Sequence, residues 1–117
     1  MSIWDDLDYF SPSEFDYPDE MDSTLLYALE EIREMAGVPI FVSSDYRPGD
    51  PNAHGHGKAV DITDDLNSDG ITSRWRFLVT RAALSKGIRR IGVYDKHIHL
   101  DVWEDGPQDV LWIGESS

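Results

Sequence analysis

A chain of 117 residues with 23 acids, 10 bases and no cysteine is long enough for one domain with a single modest core. Its net charge of −13 excludes a protein that neutralises nucleic-acid phosphates or docks a polybasic patch on membrane. No apolar run nears the ~20 residues of a membrane span, and without cysteine any bound metal falls to histidines and carboxylates.

Aspartate supplies 16 of the 23 acids, and Lys58, Lys86 and Lys96 are the only lysines. This composition gives a hydrated acidic surface, and adaptation to high salt would leave the same pattern. The N-terminus has neither the basic start nor the apolar stretch of a signal peptide, so cytoplasmic synthesis without an export signal is expected. Residues 1–22 mix Trp4, Tyr9, Phe10, Phe15 and Tyr17 with acids and prolines, showing no period. They read as an irregular acidic arm whose aromatics pack on the domain or, alternatively, on a protein partner. Residues 23–117 then form a single domain.

Asp22 or Ser23 can cap a first helix, in which Leu25, Leu26, Leu29, Ile32 and Met35 recur at helical spacing before Gly37. Residues 38–43 read as a strand with Pro39 at its start or at an edge. Residues 44–57 hold two prolines and three glycines and form a loop. Lys58–Ile62 alternates as a short strand, with Ala59 and Asp61 on one face. Residues 63–70 have the composition of a calcium loop, but the spacing is wrong and no Glu closes it. A second amphipathic helix spans roughly 72–86, with Trp75, Leu78, Val79, Ala82 and Leu84 apolar. Two apolar runs flanking Asp95 and Lys96 predict a hairpin, and Val110–Ile113 is apolar enough to dock. The fold class is α+β: a small antiparallel sheet with two main helices packed on it and a metal site on the sheet.

All four histidines fall in two H-x-H pairs, His54/His56 and His97/His99. A catalytic zinc site needs about three protein ligands and an open position. A turn at Gly55 and Gly57 lets His54 in the loop and Asp61 in the strand reach one ion. His97, His99 and Asp101 share a strand face, so one of those histidines can complete a His/Asp/His set.

The string His54-x-x-Gly57-x-Ala59-x-Asp61 resembles the H-x-x-G-x-A-x-D motif of the zinc D-Ala-D-Ala metallopeptidase family, which shares its fold with the hedgehog signalling domain. Ser44-Asp45-Tyr46-Arg47 is similar to that family's S-x-Y-R turn, and His99-Leu100-Asp101-Val102 to its late H-V-D-V strand. The likeness runs in the family's order from about residue 14 to residue 103. It implies that His54, Asp61 and His99 bind Zn2+, and that Arg47, with Ser44 and Tyr46 beside it, holds the substrate and stabilises the oxyanion. Asp101 would orient a ligand histidine by hydrogen bond, while His56 falls at a variable position.

One departure matters. Many family members carry a general-base acid three residues before the last His, and here that residue is Lys96. Asp95, if the hairpin bulges, or His97 would have to manage the proton. The implied activity is zinc-dependent hydrolysis of peptide bonds in peptidoglycan stems or crosslinks, by a phage-encoded protein released at lysis or carried in a virion. The alternative is a catalytically weak zinc-stabilised structural or binding module, for example a virion component.

Overall fold

The computed structural model describes residues 2–66 and 70–114. Three residues of the Asp- and Asn-rich loop at 63–70, and the polar end beyond Gly114, lie outside the described residues.

Helix α1 spans Ser23–Ala36 and begins where the Asp22 carboxylate accepts the Leu25 N–H at 3.1 Å. It ends at Gly37, whose left-handed backbone (φ 68°) lets its N–H reach the Arg33 carbonyl. Leu25, Leu26, Leu29 and Ile32 on its inner stripe are fully buried, whereas Met35 is exposed. Helix α2, Ser73–Ser85, is capped by the Thr72 hydroxyl on the Trp75 N–H. Trp75, Val79, Ala82 and Ala83 face the core, but Leu84, at an apolar position of the sequence pattern, points outward.

Strands β1 (Phe41–Ser44), β2 (Ala59–Thr63), β3 (Arg90–Val93), β4 (Ile98–Asp101) and β5 (Val110–Ile113) form one sheet in the order β1-β2-β4-β3-β5. The first three pairings are antiparallel, including the β3–β4 hairpin, but β5 runs parallel to β3. The sheet is therefore mixed, which corrects the antiparallel expectation. The reason is topological: both edges of β4 are taken by β2 and β3. The chain leaving β4 turns back through residues 102–109 and enters the free edge of β3 in that strand's own direction. The Arg90 guanidinium holds this return by donating to the Pro107 carbonyl at 2.6 Å.

Every residue of β2 is buried, rather than alternate ones. Apolar core packing covers one face of this interior strand, and polar side chains crowd the other. The N-terminal segment contributes three 3₁₀ turns, Ile3–Asp6, Pro12–Glu14 and Pro18–Glu20. Leu7, Phe10, Phe15 and Met21 from this segment enter the same core as the α1 leucines. Glu30 on α1 accepts the Asp8 and Tyr9 N–H groups at 2.7 and 3.0 Å, and the buried Asp45 carboxylate accepts those of Asp16 and Tyr17. The acidic arm is thus tied both to α1 and to the loop that leads into the site.

Candidate metal centre

Two glycines let the loop before β2 fold tightly enough to turn a histidine inward. A Cβ on Gly55 would run into the Asp50 carbonyl, and one on Gly57 into the carbonyl of Glu20. Gly57 also has a left-handed backbone, φ 69°. Between them, the 3₁₀ turn Ala53–His56 buries His54. Asp61 stands on β2 directly opposite His99 on β4, so both side chains project to one face of the sheet.

These three side chains meet. His54 Nε2 lies 3.4 Å from Asp61 Oδ1, and His99 Nδ1 lies 3.1 Å from the same oxygen. All three donor atoms fall within 4.8 Å of one another. A tetrahedral shell with bonds of about 2.0–2.1 Å would place its ligand atoms about 3.3 Å apart. The two distances to Asp61 already fit that figure, and His54, Asp61 and His99 could hold a metal ion.

The hydrogen bonds on the far sides of the rings strengthen the fit. His54 Nδ1 is 2.7 Å from the Asp45 carbonyl, and His99 Nε2 is 2.6 Å from Asp101 Oδ2. Both partners are pure acceptors, so these outer nitrogens carry the hydrogens. In the neutral rings, the inner nitrogens then present lone pairs to the Asp61 carboxylate. Lone pairs converging on an anion need a cation between them, either protons on the rings or a metal. Asp101 fixes the His99 tautomer in the manner of carboxylate–histidine–metal sites.

The titration shifts agree with this crowding. Burial alone would raise the Asp61 pKa, but hydrogen bonds from His54 and His99 outweigh it and hold the carboxyl well below the usual range. Burial alone would lower the His99 pKa, yet Asp101 and Asp61 raise it. Asp101 stays ionised against its burial because His99, the Trp103 N–H and Arg90 all favour the anion.

Around the three, an open cavity of about 500 Å³ is lined by Arg47, His97, Tyr94, Trp112 and Arg90, among others. His97 Nε2 is 3.8 Å from Asp61 Oδ1, and its ring stacks on Tyr94 at 4.3 Å. Its pKa is lowered, first by burial and then by the nearby His99 and Arg47, with Asp61 pulling the other way. Arg47 donates to Asp61 Oδ2 at 2.9 Å and to the Ser44 hydroxyl at 3.2 Å. Its side chain nevertheless remains 48% exposed.

The remaining sequence candidates sit further out. Ser44 supports Arg47 from behind, and Tyr46 packs edge-on against Tyr17 at 5.4 Å; neither lines the cavity. Asp95 is exposed in the β3–β4 turn, outside the cavity wall. His56 faces outward and stacks over Trp103.

Three contributors escaped the sequence reading. Arg90, on β3 opposite Asp101, donates to Asp101 Oδ1 at 2.6 Å and lies between the Trp103 and Trp112 rings. Trp112 on β5 reaches the His99 ring at 5.3 Å across Gly92, where any Cβ would strike the indole. Tyr94 backs His97 and accepts the Trp112 indole N–H at 3.0 Å. Hairpin register was the available signal for Arg90; nothing in the sequence marked Trp112.

No family model, curated protein or solved structure matches the chain.

Proposed function

We propose that this chain is a zinc-dependent peptidase that hydrolyses peptide bonds of peptidoglycan, in the setting of a phage lysis or virion protein. The observation that carries the reading is the convergence of His54, Asp61 and His99 at the floor of an open cavity whose wall includes Arg47 and His97. The His/Asp/His donor set with one open side suits catalytic zinc. The order of the Tyr-Arg turn, the H-x-x-G-x-A-x-D string and the late His-x-Asp strand supports the cell-wall substrate class.

A zinc ion held by these three residues would supply Lewis-acid polarisation of a scissile carbonyl and a water of lowered pKa. The protein's own groups do the rest. Asp45 and Asp101 hold the two ligand rings in orientation through their outer nitrogens. Arg47, anchored on Ser44 and Asp61, keeps an exposed guanidinium edge for a substrate carboxylate or a developing oxyanion. His97, whose pKa is lowered first by burial, holds Nε2 3.8 Å from Asp61 Oδ1 and would accept a proton beside the donor set. It takes the place of the acid that Lys96 replaces, while Asp95, exposed in the turn, does not line the cavity.

One observation favours the second reading, a zinc-stabilised structural or binding module. Each carboxylate in the cavity wall is already engaged: Asp61 with the histidines, Asp101 with Arg90 and His99, and Asp50 with Arg47 and the Asn52 N–H. Incubating the zinc-loaded protein with purified peptidoglycan and with synthetic stem peptides, and assaying released amines, separates the two. Turnover abolished by chelator and by Arg47→Ala or His97→Ala supports the peptidase. One zinc per chain with no turnover on any stem peptide would establish the module instead.

A further inference from the structure

On the side of the sheet away from the metal centre, helix cover stops short of β5. Ile91 is buried in the core, and Leu111, in parallel register with it, is 49% exposed. One step along, Val93 pairs with Ile113, which is 79% exposed. Residues in register in a parallel pair project to one face, so these side chains continue the core-facing side of the sheet into solvent. Beside them, α2 turns Phe77 and Leu84 outward, 63% and 58% exposed. The helix and Val93 enclose an apolar groove of about 580 Å³. A contiguous apolar surface of this kind marks an interaction site rather than scattered exposure.

The charge of this face is opposite to that of the molecule. Helix α2 carries Arg74, Arg76 and Arg81 and no acid, in a chain where acids outnumber bases 23 to 10. Among the described residues none of the three forms a salt bridge, whereas Arg47, Lys58, Arg89 and Arg90 all do. Arg81 lies over the Phe77 ring at 5.7 Å. Within the groove wall, Arg76 Nε is buried with no hydrogen-bond partner among the described residues. The rest of the Arg76 guanidinium donates, among the described residues, only to the Tyr94 carbonyl, at a long 3.5 Å. Its buried Nε is therefore the costly group, and an incoming carboxylate would give both arginines a charge-assisted partner.

We propose that the face made by α2 and the helix side of β5 docks an acidic amphipathic segment of another protein. Its apolar side chains pack against Phe77, Leu84 and Ile113, and its carboxylates pair with Arg76 and Arg81. A second copy of this chain meeting the same face by two-fold symmetry would set arginine against arginine. The complementary charge therefore belongs to a different partner.

The test selects a displayed library of short random peptides on the full chain, with counter-selection on the Phe77→Ser/Arg81→Glu variant. Both residues are exposed, and circular dichroism together with metal content checks that the variant keeps its fold. The expected result is enrichment of acidic sequences with apolar anchors. A synthetic copy of an enriched peptide should weaken about tenfold or more in either single variant, and weaken further as salt rises from about 50 to 500 mM. Failure to enrich, enrichment of neutral or basic sequences, or binding indifferent to both substitutions overturns the proposal. So does a concentration-dependent dimer in sedimentation that Phe77→Ser abolishes, because the occupant would then be a second copy. Catalytic turnover is not read at any step, so a failed peptidase assay leaves this test intact.

Discussion

The two histidine pairs have the same spacing and opposite fates. His54 and His56 stand two apart on a 3₁₀ turn, where each residue advances about 120°, so one ring enters the site and the other leaves it. His54 is buried against Asp61, and His56 lies exposed over Trp103. His97 and His99 are also two apart, but they lie at and just before β4, where side chains two residues apart share a face. Both rings therefore line the cavity, one 3.1 Å and the other 3.8 Å from Asp61 Oδ1. The H-x-H spacing states how many rings are near; the backbone conformation decides how many converge. The turn supplies one ring that could hold a metal and one bystander, and the strand supplies a second such ring and the neighbour to which we assign proton transfer.

That contrast can be broken by substitution, and the largest effect belongs to the three proposed ligands. His54→Ala, Asp61→Ala and His99→Ala should each reduce bound zinc from about one ion per chain to near zero at micromolar metal. Equilibrium dialysis with metal analysis reads this directly, and full retention of zinc by any one of them would remove that residue from the site. Next comes His97→Ala, which should keep the metal and lower peptide hydrolysis about 10²–10⁴-fold. Zinc lost along with activity would make His97 a ligand and undo the distinction within its pair.

A smaller change is expected from the residues behind His99. Asp101→Asn or Arg90→Met should weaken zinc binding about 10–100-fold, with partial recovery in Arg90→Lys, because Arg90 holds the carboxylate that fixes the His99 tautomer. Competition against a chelator of known affinity measures the shift, and an unchanged affinity in both variants would show that the tautomer needs no such support.

The metal-free protein should also respond to pH. Asp61, with its depressed folded pKa, contributes stability that is present above the ordinary carboxylate value of about 3.9 and lost as pH falls through the folded pKa. His99, with its raised folded pKa, contributes stability that is full below about 6.5 and lost as pH rises through the folded pKa. His97, with a lowered pKa, acts in the opposite sense below about 6.5, so the cleaner measurement uses His97→Ala. In chelator, its thermal midpoint should be higher near pH 6 than near pH 8, as the His99 shift requires. Added zinc should reverse the order, because metal and protons compete for the same nitrogens. The smallest effect is that of His56→Ala, which should leave zinc content and hydrolysis unchanged; any loss of metal there would cancel the contrast between turn and strand.

Both helices were legible because apolar spacing and capping residues are local signals, and Asp22 and Gly37 close α1 as the pattern requires. The pattern did not reveal that Leu84 faces away from the core, since spacing identifies an apolar residue without saying where the helix cover ends. Strand alternation at β2 told which residues share a face, but not that both faces are covered and every residue is buried.

Within the site, His54 and Asp61 could be picked out from residue type and local order, whereas the strand period left His97 and His99 open and only the motif resemblance singled out His99. The tight turn before one strand and the two-residue period of another narrowed the candidates that far. Arg90, Tyr94 and Trp112 could not be found in this way, because their place depends on how separate strands are laid side by side. Trp112 meets His99 only because β5 joins β3 in parallel across a glycine with no Cβ to block the indole. The sequence by itself determined which atoms could bind a metal, a matter of side-chain chemistry. The tertiary structure decided which of them meet and what surrounds them, because strand order and register are set by burial summed over the whole sheet.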